Sequence, residues 1–172
     1  QIHVFGRGPS ADLQYPAVYH PCDVSDSESV RRTLEAIRRE AGPVRGVLHG
    51  AGVESAARFE RKEMDTVRAT IASKVQGACN LMESTRQDPL EAFLAFGSVS
   101  GRFGGQGQTD YSMANEMLAK RVQKFRLERP ECAAVLFHWP AWDEIGMAMR
   151  KESRTVLEMA GQRFMPPHEG VE

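Results

Sequence analysis

Four side chains have the types and spacing to move a proton and hold an oxygen: Lys74, Ser98, Tyr111 and Asn115. Ser98 follows a short apolar run, residues 93–96, that reads as a buried strand. Tyr111 stands at the start of a helical pattern, and Asn115 lies one turn beyond it on the same face. Lys74 comes from an earlier helical pattern, on or beside its apolar stripe. A phenol can protonate the alkoxide that develops when hydride reaches a ketone, and a serine hydroxyl can hold the same oxygen. Because a tyrosine ordinarily ionises near pH ~10, a neighbouring ammonium is needed to favour the phenolate at neutral pH. Lys74 is the candidate for that role. Singly, each residue has a plainer one: ring packing for Tyr111, turn capping for Ser98, with Ser100 close enough to compete, and a snorkelling stem for Lys74. Chemistry is favoured because all four occur together.

Such residues need a scaffold, and the chain alternates short β-type runs with helical patterns, as a parallel sheet covered by helices requires. Residues 2–5, 17–19, 44–49, 93–96 and 133–139 read as strands. Ser25 with Glu28 forms a capping-box pattern ahead of Val30, Leu34, Ile37 and Ala41, which share one helical face as far as Gly42-Pro43. Met64, Val67, Ile71, Val75, Ala78 and Leu81 hold helical spacing over one long segment, and a further helix spans about 110–129. Beyond 143 there are helical patches but no further strand. The fold class expected is α/β, a Rossmann-type doubly wound parallel sheet. Ligands of such sheets bind beyond the carboxyl ends of the strands, here residues 6–9, 23, 50–52, 97–101 and 140–142.

Composition narrows the classes. The chain has 172 residues, 41% hydrophobic and 26% charged, in the range of one globular domain. Twenty-two basic against twenty-three acidic residues leave a formal charge of −1, which provides no basic field for nucleic acid. No apolar run is long enough to span a bilayer, and the first residues lack a signal-peptide layout, so a cytoplasmic protein is expected. Cys22, Cys79 and Cys132 are far apart, which argues for reduced thiols and against structural zinc.

The segments Phe96-Gly97-Ser98-Val99-Ser100-Gly101 and Gly107-Gln108-Thr109-Asp110-Tyr111-Ser112-Met113-Ala114-Asn115 resemble the active-site region of the ketoreductase domains of polyketide synthases, members of the short-chain dehydrogenase/reductase superfamily. The likeness extends through His49-Gly50-Ala51-Gly52, Lys74-Val75-Gln76-Gly77 and Trp139-Pro140-Ala141-Trp142. Asn115 four residues after Tyr111, with Lys74 on the earlier helix, matches the arrangement of those ketoreductases rather than the exchanged one of most short-chain reductases. The resemblance implies Tyr111 as proton donor, Ser98 as carbonyl-orienting hydroxyl, Lys74 as the residue that lowers the phenol pKa, and Asn115 as support for the relay. It implies NADPH as cofactor. Arg7 would meet the 2′-phosphate and Asp23 the adenine amino group. The backbone of Gly50, Ala51 and Gly52 would approach closely, Lys74 and Tyr111 would face the ribose, and Pro140 would lie beside the nicotinamide.

The implied substrate is a 3-oxoacyl chain on an acyl carrier protein, and the implied partners are neighbouring synthase domains of the same polypeptide. Residues 1–142 would form the catalytic core and 143–172 a lid or substrate segment that starts near 146–149. His49 and His138 are expected to be structural. The family's first strand with its Gly-rich pyrophosphate turn has no counterpart here, nor does its last strand. The expectation is therefore an incomplete domain, cut at both ends. Val53-Glu54-Ser55-Ala56 and Phe103 match neither stereochemical signature of the modular enzymes. Alternative readings are a non-catalytic Rossmann scaffold or docking domain and a stand-alone reductase of small carbonyl compounds.

Overall fold

The computed structural model describes residues 1–149, 151–159 and 161–171. Among the described residues there are five strands: β1 His3–Gly6, β2 Val18–Pro21, β3 Gly46–His49, β4 Ala92–Ser98 and β5 Ala133–Trp139. The longer helices are α1 Ser27–Ala41, α2 Met64–Ile71, α3 Gly77–Ser84, then after the short α4 Ser100–Phe103 the long α5 Thr109–Glu128, and finally α6 Lys151–Met159; the short α7 Pro167–Val171 follows. All pairing between named strands is parallel. The α/β reading and the strand count hold, but the strands form two sheets rather than one: β1 with β2, and β3, β4, β5 in that order. Register places Gly97 opposite His138 and Ser98 opposite Trp139, so β4 and β5 end together.

Local chemistry accounts for the helix boundaries, with one change from the sequence reading. α1 is capped by Asp26, whose carboxylate accepts from the Glu28 N–H at 2.9 Å, rather than by Ser25. The Ser25 hydroxyl is committed to Asp23 instead, at 2.7 Å. The helix closes at Gly42, whose positive φ of 87° suits glycine. The 64–81 pattern is not one continuous helix: a π turn, Ala72–Gln76, joins α2 to α3 and carries Lys74. Such turns often mark functional positions because they re-aim a side chain without ending the helix.

One core holds the two sheets together. Val30, Leu34 and Ile37 of α1, Ala78, Leu81 and Met82 of α3, and Leu118, Val122 and Phe125 of α5 pack with Phe93 and Ala95 of β4. Phe5 of β1 and Val47 of β3 pack against this same cluster. Each large aliphatic or aromatic side chain so buried contributes about 1.5–3 kcal/mol relative to exposure. The helices cover the sheet face that bears Phe93 and Ala95. On the opposite face Leu48, Val135 and Phe137 remain 60%, 41% and 38% exposed.

Candidate active site

Lys74, Ser98 and Tyr111 converge at the carboxyl end of β4. The π turn places the Lys74 side chain inside, 2% exposed, where its Nζ donates to the Phe96 carbonyl at 2.9 Å. The same Nζ lies 5.7 Å from the centre of the Tyr111 ring. Burial lowers the ammonium pKa from 10.5 to about 8. Gly52 leaves room for this position: a Cβ there would crowd the lysine, 3.1 Å from Lys74 Cε and 3.3 Å from its Nζ. Gly52, in the segment that follows β3, therefore lies directly beside the lysine, while Gly50 faces Phe96 and Leu48.

Ser98 is the last residue of β4, which runs two residues beyond the 93–96 read from the sequence. Its Oγ accepts from the Ser100 hydroxyl at 2.8 Å and from the Ser100 N–H at 3.2 Å. With two acceptor contacts filled, the Ser98 hydrogen is left to donate to a third oxygen. The Tyr111 pKa is raised by burial first, lowered by hydrogen bonding from Asn115, raised by the Glu54 carboxylate and lowered by Ser98, with a net upward shift. Asn115 is fully buried, and its Nδ2 donates to the Tyr111 carbonyl at 2.8 Å. No hydrogen bond joins Asn115 to Lys74 among the described residues. Asn115 Oδ1 and the indole Nε1 of Trp139 are buried without a hydrogen-bond partner among those residues. Buried polar atoms of this kind are what a bound polar molecule or an ordered water satisfies, so the residues fit a nucleotide cofactor seated here. Pro140 follows the end of β5 directly, and the Trp139 carbonyl accepts from Val99 N–H at 3.0 Å, which puts it beside the Ser98 turn.

Arg7 and Asp23 are exposed at the carboxyl ends of β1 and β2. They do approach each other. The Asp23 carboxyl is held below its ordinary value by hydrogen bonds from the Ser25 side chain and backbone, with a smaller effect from the Arg7 charge.

Two residues expected to be merely structural are attached to the site. His49, 2% exposed, donates from Nε2 to the Lys74 carbonyl at 2.9 Å and so anchors the π turn. Its pKa is pushed down to about 4, chiefly by burial, which keeps the imidazole neutral. His138 Nδ1 lies 3.3 Å from the Ser98 carbonyl. Ser100, a rival to Ser98 by spacing, is its support, donating to Ser98 Oγ from both hydroxyl and backbone. The three cysteines are free thiols, two of them buried. No helix among the described residues is long and apolar enough to cross a membrane.

Residues 11–144 match the family described as KR domain. The chain is 35% identical over 184 aligned positions to polyketide synthase ThaG of Burkholderia thailandensis, a match that covers 99% of this chain and 3% of that protein. With polyketide synthase PksL of Bacillus subtilis it shares 29% identity over 93% of its own length and 4% of the other. The chain thus spans only a few per cent of these large relatives. Among solved structures, a ketoreductase domain from the bacillaene assembly line superposes with a TM-score of 0.84 at 28% identity, covering 99% of this chain and 45% of that one. A short-chain dehydrogenase from Burkholderia cenocepacia solved in complex with NADP matches at TM-score 0.73 and 18% identity, over 87% of this chain and 64% of that one, a likeness of fold. With the family matched across most of its length and the Lys74, Ser98, Tyr111 constellation at the end of β4, the chain belongs to the KR domain family, the ketoreductase domains of polyketide synthases within the short-chain dehydrogenase/reductase superfamily.

Proposed function

We propose that the chain performs the NADPH-dependent reduction of the 3-oxo group of an acyl thioester carried on an acyl carrier protein, giving the 3-hydroxyacyl thioester, within a polyketide synthase. The observation that carries this reading is the buried approach of the Lys74 ammonium to the Tyr111 ring beside the Ser98 hydroxyl. When bound, NADPH would supply the hydride. Toward the cofactor, Arg7 takes the 2′-phosphate, Asp23 the adenine amino group, Gly50, Ala51 and Gly52 lend close backbone, Lys74 and Tyr111 hold ribose hydroxyls, and Pro140 flanks the nicotinamide.

The residues then divide the work on the ketone oxygen. Ser98 donates its free hydrogen and orients the carbonyl, and Tyr111 delivers its phenolic proton as negative charge develops there. Lys74, charged and close to the ring, stabilises the phenolate that remains. Asn115 holds the Tyr111 backbone and keeps its own Oδ1 available to a relay water.

In the full-length protein, Tyr111→Phe is expected to lower the rate of NADPH consumption with a 3-oxoacyl thioester by about 10²–10⁴-fold, while NADPH still binds. Near-normal turnover of that variant overturns the assignment.

A further inference from the structure

A second buried polar group lies next to the site and has no part in the proton transfer just described. Lys62 and Asp110 form an ion pair, Nζ to Oδ1 2.6 Å, with side chains only 6% and 3% exposed. Asp110 immediately precedes Tyr111 in the first turn of α5. Its Oδ2 lies 3.4 Å from the Thr70 hydroxyl of α2, a residue with no exposed surface. The same Lys62 ammonium donates to the Ser55 carbonyl at 2.9 Å. One cation therefore ties the loop beyond Gly52 to the start of α5 and, through Asp110, to α2. Backbone reinforces the tie, since Ala57 N–H donates to the Gly107 carbonyl at 3.0 Å.

That loop also brings Glu54 to the site. Its Oε1 lies 3.4 Å from Gln108 Nε2, just ahead of α5, and its Oε2 accepts from the Ser153 hydroxyl of α6 at 2.6 Å. Buried ion pairs are poor sources of net stability, because well-packed apolar side chains of similar volume usually serve the fold as well. What this pair supplies beyond packing is connection: one ammonium hydrogen-bonds the Ser55 carbonyl and stands in charge contact with the residue before Tyr111.

We infer that Lys62 and Asp110 are positioning residues for the ketone reduction, their pair setting the loop of residues 53–58 against the first turn of α5 and thereby the separation of Glu54 from the Tyr111 phenol. The role rests on the reductase reading above. It is tested in the full-length protein with Lys62→Met, Asp110→Asn, Lys62→Arg and the double variant Lys62→Met/Asp110→Leu, with Tyr111→Phe as the reference for the reduction. The measurements are kcat and KM for a 3-oxoacyl thioester, NADPH Kd, melting temperature, and amide hydrogen exchange over residues 53–58 and 109–112.

Lys62→Met and Asp110→Asn are each expected to lower kcat by about 10–100-fold, the scale of a small misplacement of reacting groups, and to speed exchange in both segments. NADPH Kd should stay within about twofold, and Lys62→Arg should keep most of the turnover, since it preserves the charge and the donors. The double variant should regain the melting temperature, with no charge left unpaired, but not kcat, because the Ser55 carbonyl has lost its donor and the loop its charge contact with the start of α5. Recovery of both melting temperature and kcat in the double variant overturns the positioning role, and so does unchanged exchange over 53–58 in Lys62→Met. If instead wild-type turnover is indifferent to Tyr111→Phe, the reductase reading fails, and the exchange data alone decide whether the pair holds the loop.

Discussion

At the scale of single residues, the unusual group is Lys74. Burial sets its ammonium at about 8, and burial raises the Tyr111 phenol. The lysine therefore titrates first, and the alkaline limb of the reaction belongs to it. The rate of ketone reduction is expected to be level near neutrality and to fall as pH rises through about 8, where Lys74 loses its charge while Tyr111 keeps its proton. A kcat–pH profile checks this; in Lys74→Arg, whose residual activity is lower, the fall should move to higher pH because guanidinium stays charged. Stability follows the opposite trend. Since folding lowers the lysine value from 10.5, its burial cost is full below about 8 and is relieved as pH rises toward 10.5. The types and order of Lys74, Ser98, Tyr111 and Asn115 were legible in the chain. Their helpers were not: His49 and Ser100 act through a backbone carbonyl and a neighbouring hydroxyl, contacts that leave no mark in residue type or period.

At the scale of elements, the site depends on α4 lying close against α5. Gly101 permits it, for a Cβ at that position would stand 3.0 Å from Asn115 Cβ and 3.1 Å from the Glu116 nitrogen. The second of these is backbone and cannot step aside. Gly101→Val is expected to destabilise the fold by about 1–3 kcal/mol through overpacking, and to reduce turnover further by shifting the Ser98–Ser100 turn. Thermal melts beside initial rates check both parts; a variant with wild-type melting and rate would show that the two helices can separate at no cost. Helix α1 illustrates what periodicity can and cannot deliver. Val30, Leu34 and Ile37 are buried as their spacing predicts, yet the cap is Asp26, because Ser25 has a better partner in Asp23. The 64–81 segment keeps its helical stripe in Val75, Ala78 and Leu81, but a π turn shifts its register and turns Lys74 inward.

At the scale of the whole molecule, strands of both sheets contribute to one core. β1 and β3 each pair with one strand, and the sheet face that carries Leu48, Val135 and Phe137 has no helix packed fully over it among the described residues. Open parallel edges beside an apolar face invite association. This 172-residue chain alone is therefore expected to bind an apolar dye such as ANS and to sediment as concentration-dependent oligomers, both effects diminished by Leu48→Lys. A dye-silent monomer would show that the face is covered.

Local order carried much of this protein. Alternating short apolar runs and helical periods specify α/β architecture because pleat and helix impose different spacings on buried side chains. The proton-transfer residues could be named because their types are few and their places, beyond strand ends and at a helix start, follow from those periods. Tertiary packing decided the rest: the division of the strands into two sheets, the anchoring of the π turn by His49, and the pairing of Lys62 with Asp110. Each of these joins residues far apart in the chain. Such contacts depend on which surfaces meet once the core has formed, and burial, which sets the Lys74 and Tyr111 pKa values, exists only then.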